Sequence, residues 1–284
     1  PLTGLDDLGQ RWVRFVGRAK DRIEEDVLRL LRFFRFQATF AGITVDRDAL
    51  AACRLLAPRL NELPAERVRD ELFKILEAPN PADTLGLMRG ERVLEHVLPE
   101  AENFGRLRMI CWLETTAIKV PSVQPDTLRR LAATLPCDPS GHQPLAGRLR
   151  LSNKQTVRLS TMTSTTVTIN PEIDVPTQRK VLYQLGADDV RDQLLLNWAQ
   201  EMSIEPRHSP QRTEAWLALL NVADNWTHPV IPIKGDDALT LGMKQGPGVG
   251  EVLGAVEDWW REGDFKADRD QCLDRLSTII EEIT

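Results

Sequence analysis

Residues 22–36 carry two adjacent carboxylates and an arginine at a spacing that could recognise a nucleobase. Glu25 and Asp26 precede Arg29 by four and three residues, so on a helix the three side chains share one face. A carboxylate accepts hydrogen bonds and a guanidinium donates them. Together they complement an exocyclic amine beside a ring-nitrogen acceptor, the edge that both cytosine and adenine present. Uracil and guanine present the reverse pattern, so this pair could select C and A together.

An ordinary salt bridge is the alternative interpretation of this spacing. Acid–arginine pairs four residues apart occur on many solvent-exposed helices and contribute about 0.3–0.5 kcal/mol each. Apolar residues at positions 23, 27, 30, 31 and 34 form one stripe of such a helix, which leaves the charged residues on the opposite face. The pattern therefore predicts one helix over 22–36, whose polar face either binds a base or faces solvent.

Most of the chain has the helical period, which predicts a mainly α fold of elongated, multi-helical form. Similar apolar patterns occur at residues 48–56, 65–76, 83–88 and 128–135. Alternation typical of strands is scarce. Residues 12–16 give the clearest strand prediction and residues 165–169 a weaker one.

Clusters of Pro and Gly separate the helical segments and suggest where one part of the chain ends and the next begins. The predicted parts are residues 1–20, 21–80, 81–205 and 206–284. No fixed-period repeat is present, so a solenoid is not expected.

Composition excludes several classes of protein. Apolar residues make up 42% of the chain, and no apolar run approaches the roughly 20 residues of a membrane span. The four cysteines are widely spaced, which argues against a zinc site or a disulfide framework. We expect a protein of the reducing cytoplasm. The net charge is −6, but residues 1–76 carry 14 Lys and Arg against 12 Asp and Glu. A local basic region lies within them, formed by Arg11, Arg14, Arg18, Lys20, Arg22, Arg29, Arg32 and Arg35.

Three motifs in the first 36 residues occur in a characteristic order. They are Gly4-Leu5-Asp6-Asp7-Leu8, Arg14-Phe15-Val16-Gly17 and Glu25-Asp26-Val27-Leu28-Arg29. In order and spacing they resemble the class II tRNA nucleotidyltransferases (CCA-adding enzymes) and the bacterial poly(A) polymerases. In that family the third motif holds the incoming base, and a second neck helix carries an Arg followed four residues later by a Glu, which brace the base-reading helix.

The resemblance implies roles for particular residues of this chain. It assigns nucleotide binding to Arg22, Glu25, Asp26 and Arg29. It assigns support of that helix to Arg32, Arg67 and Glu71. Arg67 and Glu71 could instead form an ordinary pair four residues apart.

The family's catalytic head has a Gly-Gly turn and an Asp-x-Asp pair that holds two Mg²⁺ ions. This sequence contains no Gly-Gly turn, and no Asp-x-Asp pair lies in one of its predicted strands. Asp46-Arg47-Asp48 has the right residues, but it opens a helix, where Asp48 is expected as the N-cap. Residues 1–20 thus resemble the last edge of the head, followed by neck, body and tail. We expect this chain to bind ATP, CTP and RNA without catalysing addition by itself.

Two further regions could contact RNA. Near the C-terminus, Lys234 and Lys244 flank a glycine-rich segment that precedes a predicted helix over 249–260, and the glycines are Gly246, Gly248 and Gly250. Backbone N–H groups there could cradle a phosphate, as in the tRNA-binding tail of the family; an ordinary loop is the alternative. In residues 145–159, Arg148, Arg150, Lys154 and Arg158 form either a tRNA-contacting helix face or a solvated one.

The sequence therefore predicts untemplated addition of CMP and AMP to tRNA 3′ ends, with tRNA and nucleotides as partners, no membrane and Mg²⁺ bound by the head. One alternative is a poly(A) polymerase, which shares the neck motifs. The other is a non-catalytic helical module that binds RNA or protein.

Overall fold

The computed structural model describes residues 7, 9–40, 45–138, 140, 142–164, 169–207 and 209–283. All regular structure in these residues is helical, and none belongs to a strand, so the mainly α prediction is confirmed. The chain divides into two compact units. The first unit comprises Pro1–Asn170 and Asp192–Trp216, and the second comprises Pro171–Arg191 and Leu217–Thr284. The finer division at 20, 80 and 205 stays a prediction.

The helices are numbered in chain order. They are α1 Ala19–Glu25, α2 Leu28–Phe40, α3 Arg47–Leu56, α4 Ala65–Glu77, α5 Pro81–Gly90, α6 Phe104–Trp112, α7 Thr127–Thr134, α8 Gln143–Arg148, α9 Asn153–Thr163, α10 Val175–Leu185, α11 Ala187–Ile204, α12 Pro210–Asp224, α13 Gly235–Thr240, α14 Pro247–Glu262 and α15 Arg269–Ile283. Short 3₁₀ segments occur at Ala57–Glu62 and Leu94–His96, and a π-helical turn at Leu113–Ala117. The helices predicted over 48–56, 65–76, 83–88, 128–135 and 249–260 correspond to α3, α4, α5, α7 and α14.

The single helix predicted over 22–36 is wrong, because the chain breaks between α1 and α2. Asp26 has extended backbone angles, φ −152° and ψ 103°, and its Oδ1 accepts a hydrogen bond from Leu28 N at 3.2 Å. An Asp side chain that bonds a nearby backbone N–H competes with helix continuation. The apolar stripe nevertheless stays buried on both sides of the break, from Ile23 to Phe34.

Residues 12–16 do not form the predicted strand. A strand needs a hydrogen-bonded neighbour, and no described residue provides one. Side chains hold this segment instead: Arg14 Nε donates to Asp7 Oδ2 at 2.9 Å, and Phe15 stacks on Phe33 of α2 with centroids 5.4 Å apart. Four of the five residues of the weaker strand candidate, 165–168, lie outside the described residues, as do Gly4, Leu5, Asp6 and Leu8.

Two smaller sequence expectations are also corrected. The N-cap of α3 is Asp46 rather than Asp48, because Asp46 Oδ1 accepts from the backbone nitrogens of Asp48 and Ala49 at 3.0 and 3.1 Å. The segment 145–159 is not one helix, since α8 ends at Arg148 and α9 begins at Asn153. Its four cations therefore do not share one helix face.

The second unit has an apolar core formed between α14 and α15. Its buried residues include Val252, Val256, Trp260, Cys272 and Leu276. The unit contains nine Lys and Arg against 17 Asp and Glu, a net charge of −8, whereas the first unit has 27 against 25, or +2. Among the described residues, no helix has the length and apolarity that crossing a membrane requires.

Candidate nucleotide- and RNA-binding site

Three charged side chains meet at the end of α1 and the start of α2. Glu25 Oε2 accepts from Arg29 Nη1 at 2.5 Å and from Arg22 Nη1 at 2.7 Å. Arg29 Nη1 also donates to the backbone carbonyl of Arg22 at 3.0 Å. The Arg29 hydrogen bond lowers the pKa of the Glu25 carboxyl. This arrangement fixes the guanidinium of Arg29, whose Nε and Nη2 have no acceptor among the described residues.

Asp26 lies beside this cluster but does not pair with Arg29. Its Oδ1 is 3.7 Å from Arg67 Nη2, and its Oδ2 is 3.8 Å from Arg32 Nη1. The Asp26 and Arg29 side chains keep 29% and 32% of their surface exposed, so both can still meet a ligand. The structure thus offers the partly exposed carboxylate of Asp26 and the pre-oriented guanidinium of Arg29, three residues apart, at a helix break rather than on a continuous helix.

Helix α4 faces α2 and holds it through a buried carboxylate. The Glu71 side chain is only 5% exposed and accepts from Arg35 Nη1 at 2.9 and 3.2 Å. Lys74 Nζ donates to it at 3.3 Å, and Arg32 Nε lies 3.8 Å away. Arg67 and Glu71 therefore do not form the ordinary pair within α4; both reach across to the segment that carries Asp26 and α2.

The sequence interpretation missed Arg35, which makes the shortest contact with Glu71. A signal for it was present, because Arg29, Arg32 and Arg35 recur every third residue. This spacing places them on neighbouring parts of one helix face. Only the partner on α4, 36 positions away in sequence, distinguishes Arg35 from a solvated cation.

A second buried network holds the other end of α4. Glu114, on the π-helical turn, accepts from Arg129 Nε at 2.8 Å and from Arg130 Nε at 2.7 Å. Arg130 Nη1 donates to the carbonyls of Leu76 and Ala78, at the C-terminus of α4, at 2.7 and 3.2 Å. These bonds satisfy helix-end carbonyls that would otherwise lack partners. They hold α4 at its C-terminal end, beyond Arg67 and Glu71, the residues that contact α2 and the segment before it.

Glycines and lysines of the predicted tail site lie around α13 and α14. Lys234 is the N-cap of α13, and its backbone N–H donates to Asp237 Oδ2 at 2.7 Å. Gly246 precedes α14 with extended backbone, and a Cβ on Gly248 would lie 3.5 Å from Met243 Cε. Lys234 and Lys244 are exposed. Of the described cations of the second unit, these two and Arg275 have no carboxylate within 4 Å in the described chain.

No group of three or more His, Cys, Asp or Glu side chains among the described residues could hold a metal ion. A cleft of about 620 Å³ lies between residues 12–20 and α3. It is lined by Arg14, Arg18 and Lys20 as well as by Asp46 and Asp48, and none of the predicted nucleotide-binding residues lines it. These residues do not fit a Mg²⁺ site.

The chain is similar to several known proteins in sequence. Residues 42–104 match the family described as "Probable RNA and SrmB- binding site of polymerase A". The mitochondrial CCA tRNA nucleotidyltransferase 1 of Mus musculus is 26% identical over 284 residues, 96% of this chain and 60% of the relative. A CCA-adding enzyme of Streptococcus gordonii is 45% identical over 78 residues, 28% of this chain and 19% of the relative. The chain thus spans about 60% of the length of the longest-matching curated relatives.

The fold is similar to solved structures of CCA-adding enzymes. A Bacillus stearothermophilus enzyme in complex with CTP superposes with a TM-score of 0.73 at 21% identity, covering 99% of this chain and 69% of that one. A Thermotoga maritima enzyme complexed with tRNA gives a TM-score of 0.54 at 18% identity, covering 98% of this chain and 67% of that one. At these identities the likeness establishes the helical architecture.

Proposed function

We propose that this chain serves the untemplated addition of CMP and AMP to tRNA 3′ ends, as a member of the family of CCA-adding enzymes and bacterial poly(A) polymerases to which its sequence and fold are similar. CTP and ATP are the substrates. The observation that carries this proposal is the cluster at the α1–α2 break, where Asp26 and Arg29 stay partly exposed while Glu25 and Glu71 hold the surrounding cations.

Each residue of the cluster has a distinct part in base recognition. The Asp26 carboxylate accepts from the exocyclic amine of C or A, and the free Nε and Nη2 of Arg29 donate to the ring nitrogen beside it. Glu25 and Arg22 hold the Arg29 guanidinium in place. The segment between α1 and α2 is held against α4 by Arg32, Arg67 and Glu71. The Asp26 carboxylate and the Arg29 guanidinium are therefore positioned before the base binds.

Phosphoryl transfer needs two Mg²⁺ ions, which neutralise charge on the triphosphate. No group of carboxylates, His or Cys among the described residues could hold a metal ion, so we propose that the Mg²⁺ ligands belong to a nucleotidyltransferase head like that of the family. This chain then contributes base recognition, and its second unit contacts tRNA through Lys234, Lys244 and the glycine-rich start of α14. A reducing compartment such as the cytoplasm stays the expected location.

Replacement of Asp26 or Arg29 by Ala tests the base-reading role. In protein that includes the head, each change should cost about 1–3 kcal/mol of discrimination for C and A together, the range of one good bidentate base contact. The measurement is steady-state incorporation with all four nucleotides. Glu24→Ala is the matched control, because Glu24 is an exposed neighbour whose one ion pair among the described residues is with Lys20, at 3.7 Å. An unchanged preference for C and A in both variants would contradict the proposal.

Poly(A) polymerase activity is the second candidate, favoured by the match of residues 42–104 to a family named for polymerase A. The same assay separates the two activities. Sustained addition of A without incorporation of C identifies a poly(A) polymerase, whereas CCA addition stops after three residues. Absence of any incorporation by head-containing protein would favour a non-catalytic RNA-binding module.

A further inference from the structure

The four cations of residues 145–159 differ in whether a carboxylate lies beside them. Arg148 Nη2 is 2.6 Å from Glu100 Oε2. Arg158 binds Asp126 Oδ2 at 2.8 Å and Asp192 Oδ2 at 2.7 Å. Arg150 and Lys154 are exposed and have no carboxylate within 4 Å in the described part of the chain. Their charge is therefore uncompensated.

Arg150 occupies a backbone position that favours glycine. It follows α8 in the left-handed region, with φ +52°. The Arg150 N–H donates to Gly147 O at 3.2 Å, and the Leu151 N–H donates to Ala146 O at 3.0 Å. This is the Schellman pattern, whose left-handed residue is usually glycine because a Cβ is strained there. The chain thus has an arginine where glycine would serve the fold better.

The loop that carries Arg150 is tied to α4. Arg69 Nη1 donates to the carbonyl of Arg150 at 2.9 Å, while its other nitrogens bind Asp70 Oδ1 at 2.7 and 3.0 Å. Asp70 therefore neutralises Arg69 and leaves Arg150 uncompensated. Since α4 also carries Arg67 and Glu71, the Arg150 loop is fixed to the helix that braces the base-reading segment.

We propose that Arg150 and Lys154 form a phosphate-binding edge for the RNA strand whose 3′ end is extended. The proposal rests on the proposed function, which requires RNA beside the base-reading cluster. Two exposed cations without carboxylate partners complement an RNA backbone.

Arg92 provides a matched control within the same unit. It follows α5 in the same Schellman geometry, with φ +59°, and Val93 N donates to Met88 O at 2.9 Å. Its guanidinium, however, lies 3.2 Å from Glu95 Oε1. Arg92 therefore shares the backbone strain of Arg150 but not its uncompensated charge.

Glycine substitution at the two positions separates strain from binding. We expect Arg150→Gly and Arg92→Gly both to keep or raise the thermal midpoint of the 284-residue chain, because glycine relieves the left-handed strain. Only Arg150→Gly should weaken binding of an unmodified tRNA transcript. Its slope of log affinity against log salt should fall by about 1, as expected for one lost phosphate contact, and Lys154→Ala should have a similar effect.

A filter-binding titration at several salt concentrations gives each outcome a meaning. Weaker binding by Arg150→Gly than by Arg92→Gly, without loss of thermal stability, supports the phosphate-binding edge. Equal affinities and slopes for these two variants and the unchanged chain would overturn it and leave the proposed function standing. Failure of the unchanged chain to bind tRNA would overturn both the edge and the RNA-binding part of the proposed function.

Discussion

The two units of the chain differ in how deeply their ion pairs are buried. In the first unit, ionised side chains are buried and bridge separate helices: Glu114 and Asp192 are 0% and 3% exposed where they hold Arg129. In the second unit, the core is apolar, and ion pairs such as Lys180–Glu262 lie on the surface, with Glu262 66% exposed. Both units therefore pack through apolar residues, but the charged side chains buried among the described residues all lie in the first unit, where they add directional bonds between its helices.

Energetics explains why this difference matters for the candidate site. A buried charge is tolerated only in one geometry, with its partner and its remaining hydrogen bonds in place. Arg130 meets this condition by joining Glu114 to the carbonyls that end α4. The helix that presents Glu71 to α2 is thus held at both ends by directional bonds, which is what pre-positioned base recognition requires.

The largest expected effect comes from removing the shared carboxylate of the first unit. Glu114→Gln keeps the shape of the side chain but leaves the buried Arg130 guanidinium without its carboxylate partner and the Arg129 guanidinium with Asp192 alone. We expect a loss of about 3–5 kcal/mol in the free energy of unfolding, the usual cost of removing one partner of a buried ion pair. Urea unfolding followed by circular dichroism measures it.

Glu262→Gln is the control from the second unit, because it breaks an exposed pair with Lys180. Its unfolding midpoint should match that of the unchanged chain, since exposed pairs contribute little. Equal losses in the two variants would show that the units do not differ in how they use charge.

Local patterns made much of this fold predictable. The apolar stripe of α2 and the bounds of α3, α4 and α7 follow from spacing alone. The break at Asp26 does not, because it depends on whether an Asp side chain bonds its own backbone or a neighbouring cation. The strand predicted over 12–16 is wrong for a related reason. Alternation is a property of one segment, whereas a strand also needs a neighbouring segment with which to form hydrogen bonds.

The candidate site was predictable only in part. Motif order in the sequence singled out Glu25, Asp26 and Arg29, and the structure places all three at the α1–α2 break. Motif order alone did not decide whether Arg29 pairs with Glu25 or with Asp26, and it did not indicate the contact between Arg35 and Glu71. The Glu25–Arg29 pair is the ordinary salt bridge that a spacing of four residues also allowed, whereas Arg35 and Glu71 are 36 positions apart and residue spacing carries no information about their contact.

A smaller effect is expected at Tyr183 of the second unit. Burial, together with the Glu257 carboxylate that accepts the Tyr183 O–H at 2.5 Å, raises the pKa of Tyr183 to about 12. Tyr183 is the single tyrosine of the chain, so phenolate absorbance reports on it alone. The folded state keeps a proton that the unfolded state loses near its ordinary pKa of about 10. This contribution to stability is therefore complete below that pH and is lost as the pH rises towards 12.

Glu257→Gln should lower the pKa of Tyr183 towards the ordinary value without reaching it, because the burial remains. Glu251→Gln is the control, as Glu251 is exposed on the same helix and should leave the titration midpoint in place. A midpoint that Glu257→Gln does not move would show that burial, and not the Glu257 carboxylate, raises the pKa of Tyr183.

The smallest expected effect tests whether an acidic unit can bind RNA at all. The second unit has a net charge of −8 and therefore repels phosphate over most of its surface. Cations without a carboxylate partner are the exception, and Lys234 and Lys244, beside α13 and α14, are two of them. Each change to Ala should weaken tRNA binding and lower the salt slope by about 1, with circular dichroism unchanged. Lys266→Ala is the control, because Lys266 is as exposed a lysine but lies 3.2 Å from Asp264. Equal slopes for all three variants and the unchanged chain would remove the second unit from the RNA interface and leave RNA binding to the first unit, where the charge is positive.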